Sequence, residues 1–462
     1  MIAQAQHAPA PPSLDSLKSF DLTQYREDCW DRAQSRKCFK DDEPNTEVDW
    51  TEIDSKHRAT TLTFRSLAEL QSARGKLKVQ ENGLRAISIN QANSWRPLNV
   101  TREMFEAIES AAGAAGLLLN LALSFHDKSM ATEEAFSSAP TLSSNASALE
   151  IAYSFKYAIQ KVESDKPESW SMRQTGVYQK YDIKSKHSTW IFMNPTKECL
   201  FQKRLMQLLL SPSHCAKLKD HPLLIHSILF ATFFPNWRDY LAVYETRVLT
   251  VSNTTMTERI QDTLRVNHQM LTSIRSVESR CLPLQAIFRS FGKTLSMLHQ
   301  GNDALRECGI VQHSSWQAMK QLLDNYDRSV DAYSQGALFV QGRAATTAQL
   351  IADTFSFKSS HTAQEQTDYM LDLTSSTVDD STTVRVITIV TLIYLPSTFM
   401  ATLLGMNSFF EMDPVTRKLI VSPQFWIFIV CSVPLTAVTV LYWWLRRKRD
   451  PKQGKGKAEL EV

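Results

Sequence analysis

Residues 386–404 read VITIVTLIYLPSTFMATLL and residues 425–445 read FWIFIVCSVPLTAVTVLYWWL, and neither stretch holds a charge. At about 1.5 Å per residue, roughly 20 apolar residues in a helix cross a hydrocarbon core of about 30 Å. Two such stretches only 20 residues apart, in a chain of mean hydropathy −0.25, predict paired transmembrane helices and not core helices of a soluble domain.

The flanks predict the orientation. Arg446, Arg447, Lys448, Arg449, Lys452, Lys455 and Lys457 follow the second stretch, whereas the connection 405–424 carries Arg417 and Lys418 alone. The positive-inside rule then puts the C-terminus in the cytosol, and an even number of spans puts the N-terminal part there as well. Tyr442, Trp443 and Trp444 fall at the inner interface and Trp426 near the outer one, where aromatic belts lie. Pro396 and Pro434 stand inside the spans, where neighbouring helices compensate the missing donor. Thr388, Thr391, Leu395, Thr398 and Thr402 recur at steps of 3 or 4 and so share one helix face. A lone anchor gains nothing from a threonine stripe. Packing against another helix through small polar residues, or lining a water-filled path, both give it a use.

Over its 462 residues the chain carries 51 basic and 48 acidic side chains. That balance gives no electrostatic footprint for nucleic acid, and no nucleic-acid partner is expected. The 7 cysteines are irregularly spaced with no CxxC pair, which predicts reduced, buried thiols. The opening MIAQAQHAPAPPSLDSL has neither a basic n-region nor an apolar h-region, and it lacks the arginine-rich look of a transit peptide. A mitochondrial inner membrane is therefore not expected, and plasma and vacuolar membranes are not distinguished. Sequons at Asn99, Asn145 and Asn253 are read as chance matches.

The predicted fold class is an α+β cytosolic domain followed by long stalk helices and two C-terminal transmembrane helices. Residues 1–20 and the tail from Arg449 have disordered composition. Between them we expect a cytosolic α/β domain over 21–250, a helical stalk over 251–383, a transmembrane domain over 384–445 with an outer loop 405–424, and a basic cytosolic tail over 446–462. Strands are expected at Thr60–Phe64, Ala86–Asn90, Leu149–Phe155 and Thr189–Asn194, where β-branched and aromatic residues suit a half-buried sheet. Helices are expected at Arg102–Leu123, Lys197–Leu210 and His221–Val248, with a polar loop over 127–147. A helical segment Met256–Gln300 is expected to be interrupted at Pro283 and Gly292. A second begins near Ser314, and its Met319, Leu322, Tyr326, Val330, Tyr333, Ala337 and Val340 approach the 3.5-residue repeat of a coiled-coil seam. From Arg343 to Leu395 there is neither Gly nor Pro, which predicts one helix running into the first span, with Thr374–Thr383 as the place for a local break.

The first span closes on Leu404-Gly405-Met406-Asn407, preceded by Tyr394-Leu-Pro-Ser-Thr-Phe. This stretch resembles the CorA superfamily of divalent-cation channels and transporters, whose hallmark is Gly-Met-Asn at the outer end of the first of two C-terminal spans. The order of parts agrees: an α/β domain, long helices, two spans and a basic tail. Residues 188–195 (STWIFMNP) and 236–240 (NWRDY) are similar to the divergent CorA-like proteins of fungi.

The resemblance implies membrane transport of divalent cations through a homopentamer in the lipid bilayer, with the first span lining the pore. Carried over residue by residue, its selectivity motif is Gly405, Met406 and Asn407, and its pore positions are Asn407, Thr398, Leu395, Ile387 and Val384. Thr391 and Thr402 join them from the threonine face. Asn407 would offer a neutral amide oxygen to a hydrated metal ion, and Gly405 would permit a tight turn after the helix. Leu395, Ile387 and Val384 would form a constriction that gates by dewetting. In the outer loop, rings of Glu411 and Asp413 would concentrate cations, against the offsetting Arg417 and Lys418. Candidates for the family's internal metal-sensing carboxylates are Asp353, Asp372, Asp379 and Asp380. No cofactor is expected beyond the transported and sensed ion itself, Mg²⁺ first and Zn²⁺ next. With no HExxH pair, phosphate-binding glycine loop or nucleophile elbow, an enzyme is not expected. The alternative is a CorA-like membrane scaffold or regulator that conducts nothing.

Overall fold

The computed structural model describes residues 22–42, 46–56, 58–73, 81–114, 116–145, 147–161, 169–259, 263–405, 410–412, 419–423 and 425–449. The disordered ends expected from composition therefore lie outside the described residues. In chain order the elements are α1 (Leu22–Ser35), β1 (Val48–Ile53), β2 (Ala59–Phe64), α2 (Leu67–Ala73), β3 (Leu84–Asn90), α3 (Arg102–Ala112), α4 (Leu117–Ala122), β4 (Thr141–Ser144), β5 (Ala148–Gln160), β6 (Trp170–Asp182) and β7 (His187–Asn194). Helices then follow: α5 (Leu200–Leu210), α6 (Pro212–Asp220), α7 (Leu224–Phe233), α8 (Asn236–Met256), α9 (His268–Cys281), α10 (Leu284–Glu307) and α11 (His313–Gly405). A short hairpin of β8 (Phe410–Met412) and β9 (Leu419–Val421) leads to α12 (Phe425–Arg449). Two compact units divide between Phe355 and Ser356.

The first unit is built on a 7-stranded sheet in the order β2-β1-β3-β7-β6-β5-β4. Within its ladders β3 and β7 run parallel and the other neighbours antiparallel. These two central strands are buried at every residue, where a half-buried sheet was expected. Successive side chains on a strand point to opposite faces. In β7, Trp190 and Phe192 enter one apolar core while Ile191 and Met193 enter the other; in β3, Leu84 and Ala86 are opposed to Ile87 and Ile89. A sheet apolar on both faces must be covered on both. Helices α1 to α4 cover one side, and α5 to α10 with the first part of α11 cover the other.

Each expected strand is present as β2, β3, β5 or β7, lengthened by at least a residue. Strands β1, β4 and β6 carry no clear signal in sequence. β6 (WSMRQTGVYQKYD) is polar, yet Gln174, Thr175 and Gln179 are buried. Gln174 donates to the Ser124 carbonyl, Gln179 donates to that of Pro222, and Thr175 pairs with the Tyr157 hydroxyl. Buried polar groups with partners are tolerated, and they hide a strand from a hydrophobic pattern. β4 lies inside the expected loop 127–147, paired along β5.

Helix boundaries differ from expectation for local reasons. Arg102–Leu123 is two helices, because Gly113 (φ +61) caps α3 in the left-handed conformation. His221–Val248 divides at Pro235, whose missing N–H cannot continue α7 but suits the start of α8. Gly292 interrupts nothing and lies within α10. One helical glycine costs about 1 kcal/mol, which the apolar burial of α10 outweighs. α11 passes through Thr374–Thr383 without a break. Its Met319, Val330, Ala337 and Val340 are buried in the first unit's own core, with Leu322, Tyr326 and Tyr333 packed beside them. The near-heptad spacing thus seats α11 on the chain's own domain. All 7 cysteines are free; Cys29, Cys38, Cys199, Cys215 and Cys281 are buried, whereas Cys308 and Cys431 are exposed.

Candidate functional site

The apolar windows are Thr383–Thr402 within α11 and Phe425–Leu445, the greater part of α12, and only 6% of each is buried inside the chain. Leu395 is 70% exposed and Val384 61% exposed. A core helix of a water-soluble domain hides such side chains. These remain uncovered until lipid or further copies of the chain meet them.

Threonine-rich and β-branched, the first span has modest helix propensity in water. In lipid every backbone group must be satisfied within the segment, which favours the helix. Pro396 has no N–H to give the carbonyl one turn back. Just beyond it, the Ser397 hydroxyl donates to the Ile393 carbonyl at 3.4 Å and Thr398 donates to that of Tyr394 at 3.0 Å.

The threonine stripe repeats this pattern along the span. Thr388 donates to Val384 O at 2.7 Å, Thr391 to Thr388 O at 2.9 Å, Thr398 also to Leu395 O at 3.0 Å, and Thr402 to Thr398 O at 2.8 Å. A hydroxyl has one hydrogen and two lone pairs. With the hydrogen given to the helix's own carbonyls, each Oγ1 offers an approaching group only acceptor capacity. Oxygen acceptors without formal charge are what hard cations and their bound waters use. Val384, Ile387, Thr391, Leu395, Thr398 and Thr402 are all exposed and follow one another at steps of 3 or 4. The face therefore mixes apolar and oxygen-bearing positions, with Leu395 between Thr391 and Thr398.

The helix carrying this face ends at Gly405. Met406, Asn407 and Asp413 lie outside the described residues, and Glu411 is placed by its backbone alone, in β8. Among the proposed sensing acids, Asp353 is exposed and accepts from Gln349 Nε2 at 2.9 Å, and Asp372 is exposed. Asp379 and Asp380 have helical backbones, and their side chains are not among those described. None of the four belongs to the group of side chains among the described residues whose donor atoms lie close enough together to hold a metal ion, which is His299, Asp324 and Asp327. Its members come from α10 and α11, so no short motif announces it; the visible trace is Asp324 and Asp327 one turn apart.

Comparison with known proteins agrees with this architecture. A family model described as CorA-like transporters matches residues 15–256, and one described as CorA-like Mg²⁺ transporter protein matches residues 311–447. Among solved structures, the full-length CmaX protein is similar at 12% identity and a TM-score of 0.38, with 89% of this chain and 100% of that one covered. The cytoplasmic domain of ZntB from Vibrio parahaemolyticus RIMD 2210633 is similar at 10% identity and a TM-score of 0.40, with 68% of this chain and 99% of that one covered. No curated protein matches the sequence. The two family models carry the assignment.

Proposed function

This chain belongs to the CorA superfamily of divalent-cation transporters, and we propose that it conducts hydrated Mg²⁺, with Zn²⁺ next, through a homopentameric pore lined by the first span. The supporting observation is the stripe of Thr391, Thr398 and Thr402, whose hydroxyl hydrogens are committed to the helix and whose lone pairs are left for a hydrated ion. Neutral oxygens hold a divalent ion through its water without binding it too tightly to leave. They also suit Mg²⁺, which dehydrates reluctantly, better than Zn²⁺, which prefers nitrogen and sulphur. In this reading Gly405, Met406 and Asn407 form the outer mouth, both termini are cytosolic, and Leu395, Ile387 and Val384 make a constriction that wets only when open. Glu411 and Asp413 add negative charge near the mouth.

Influx of Mg²⁺ and Zn²⁺ into proteoliposomes under an inside-negative potential tests this, with wild type beside Asn407→Ala. Influx that is lost in the variant, at unchanged assembly, supports a pore entered at Asn407, and the faster ion names the cargo. A folded, pentameric wild type that passes neither ion would identify a non-conducting scaffold.

A further inference from the structure

We infer that His299, Asp324 and Asp327 form a binding site for a Zn²⁺-class transition metal in the domain preceding the spans. His299 stands on α10 and the two aspartates stand one turn apart on α11, all within the first unit. His299 Nε2 is 3.5 Å from Asp324 Oδ1 and 3.3 Å from Asp327 Oδ2. One donor atom from each residue lies within 4.8 Å of the other two.

These distances fit coordination better than ion pairing. A charge-assisted N–H···O⁻ bond closes to about 2.7–2.9 Å, and one ring N–H shared between two carboxylates makes two longer, weaker contacts in its place. Ligands roughly 2.0–2.2 Å from a tetrahedral ion stand about 3.3–3.6 Å from one another. The imidazole nitrogen already keeps that separation from both acids. Three protein ligands leave a fourth position for water, and side chains 22%, 42% and 41% exposed leave a path for exchange.

The charge balance points the same way. Two carboxylates against at most one imidazolium leave a net negative cluster. A bound dication would offset that charge and tie α10 to α11. An imidazole in the set selects Zn²⁺, Co²⁺ or Ni²⁺ over Mg²⁺.

The test uses the full chain, purified in detergent and stripped with chelator, and titrated with Co²⁺ and then Zn²⁺ without any gradient. The expected result is a tetrahedral Co²⁺ absorption spectrum that Zn²⁺ abolishes and excess Mg²⁺ leaves unchanged. Zinc-edge X-ray absorption of wild type should show oxygen and imidazole ligands and no sulphur. His299→Gln, and separately the double variant Asp324→Asn with Asp327→Asn, should each bind Zn²⁺ at least about tenfold more weakly. Unchanged affinity in both variants, a six-coordinate Co²⁺ spectrum, or sulphur ligation would overturn the assignment and leave an ion pair only. Because binding is read at equilibrium, loss of flux with binding intact would count against the pore alone.

Discussion

Gln179 fixes His226 in one tautomer. Its amide N–H donates to the Pro222 carbonyl at 2.7 Å, so its Oε1, 2.8 Å from His226 Nε2, accepts the ring N–H. His226 Nδ1 is then the acceptor for the Tyr153 hydroxyl at 2.9 Å. Burial, aided by His221, pushes the ring's pKa down to about 3 from 6.5. The unfolded chain therefore takes up a proton below about pH 6.5 that the native state refuses, and stability falls with pH toward 3. Melting temperatures between pH 6.5 and 4 should drop more steeply for wild type than for His226→Phe. At pH 7.5 that variant should be destabilised by about 1–3 kcal/mol for the polar partners left unpaired. Equal slopes would refute the buried neutral imidazole.

Lys156 gives the opposite end of the pH scale. Its Nζ donates to the carbonyls of Glu133 at 2.6 Å and Glu134 at 2.8 Å, and burial first, then Lys128, lowers its pKa to about 8 from 10.5. Between these values the unfolded state holds more protons, so this residue makes stability rise with pH. Buried Tyr157 and Tyr178, raised well above their usual 10, oppose it at higher pH. The rise should therefore show between about pH 8 and 9.5 in thermal melts, and Lys156→Met should lack it.

Gly176→Ala tests the contact of β6 with the chain near α4. The added Cβ would lie 2.9 Å from Phe125 Cε2 and 3.2 Å from Leu121 Cδ2. Overpacking of this kind costs about 1–3 kcal/mol. Phe125→Leu in the same chain should recover part of the loss, giving a non-additive double-mutant cycle in melting experiments. Simple additivity would show that the strand yields elsewhere.

For the proposed pathway, Thr398→Val keeps the shape of the side chain and removes its oxygen. At about 1 kcal/mol for each lost hydrogen bond to the hydrated ion, Mg²⁺ flux should fall several-fold with assembly unchanged. Leu395→Ser should do the reverse at rest, raising leak by easing wetting of the constriction. Flux indifferent to both substitutions would remove this face from the pathway.

The spans were legible because a membrane imposes a length and an absence of charge that few other environments demand, and both stretches meet them. β3 and β7 were legible because both of their faces are apolar. β6 was not, since its buried Gln174 and Gln179 owe their places to partners at Ser124 and Pro222, far away in sequence. Distance along the chain likewise concealed His299 from Asp324 and Asp327. Gly113 and Pro235, by contrast, were plain punctuation inside helices drawn too long. Of the candidate pore residues, the sequence showed that Thr391, Thr398 and Thr402 share a face, but where each hydroxyl sends its hydrogen is a matter of rotamer.

That rotamer choice also acts on the solvent. In the proposed pore, water wetting Thr391, Thr398 and Thr402 would turn a hydrogen toward the wall, because their own hydroxyl hydrogens are given to the helix. Its oxygen is thereby turned toward the lumen. Such molecules around a pore would present their oxygens to a cation, and would have only their second hydrogen to offer an anion. Discrimination by sign would then reside in oriented water, at a depth where the helix carries no charged side chain.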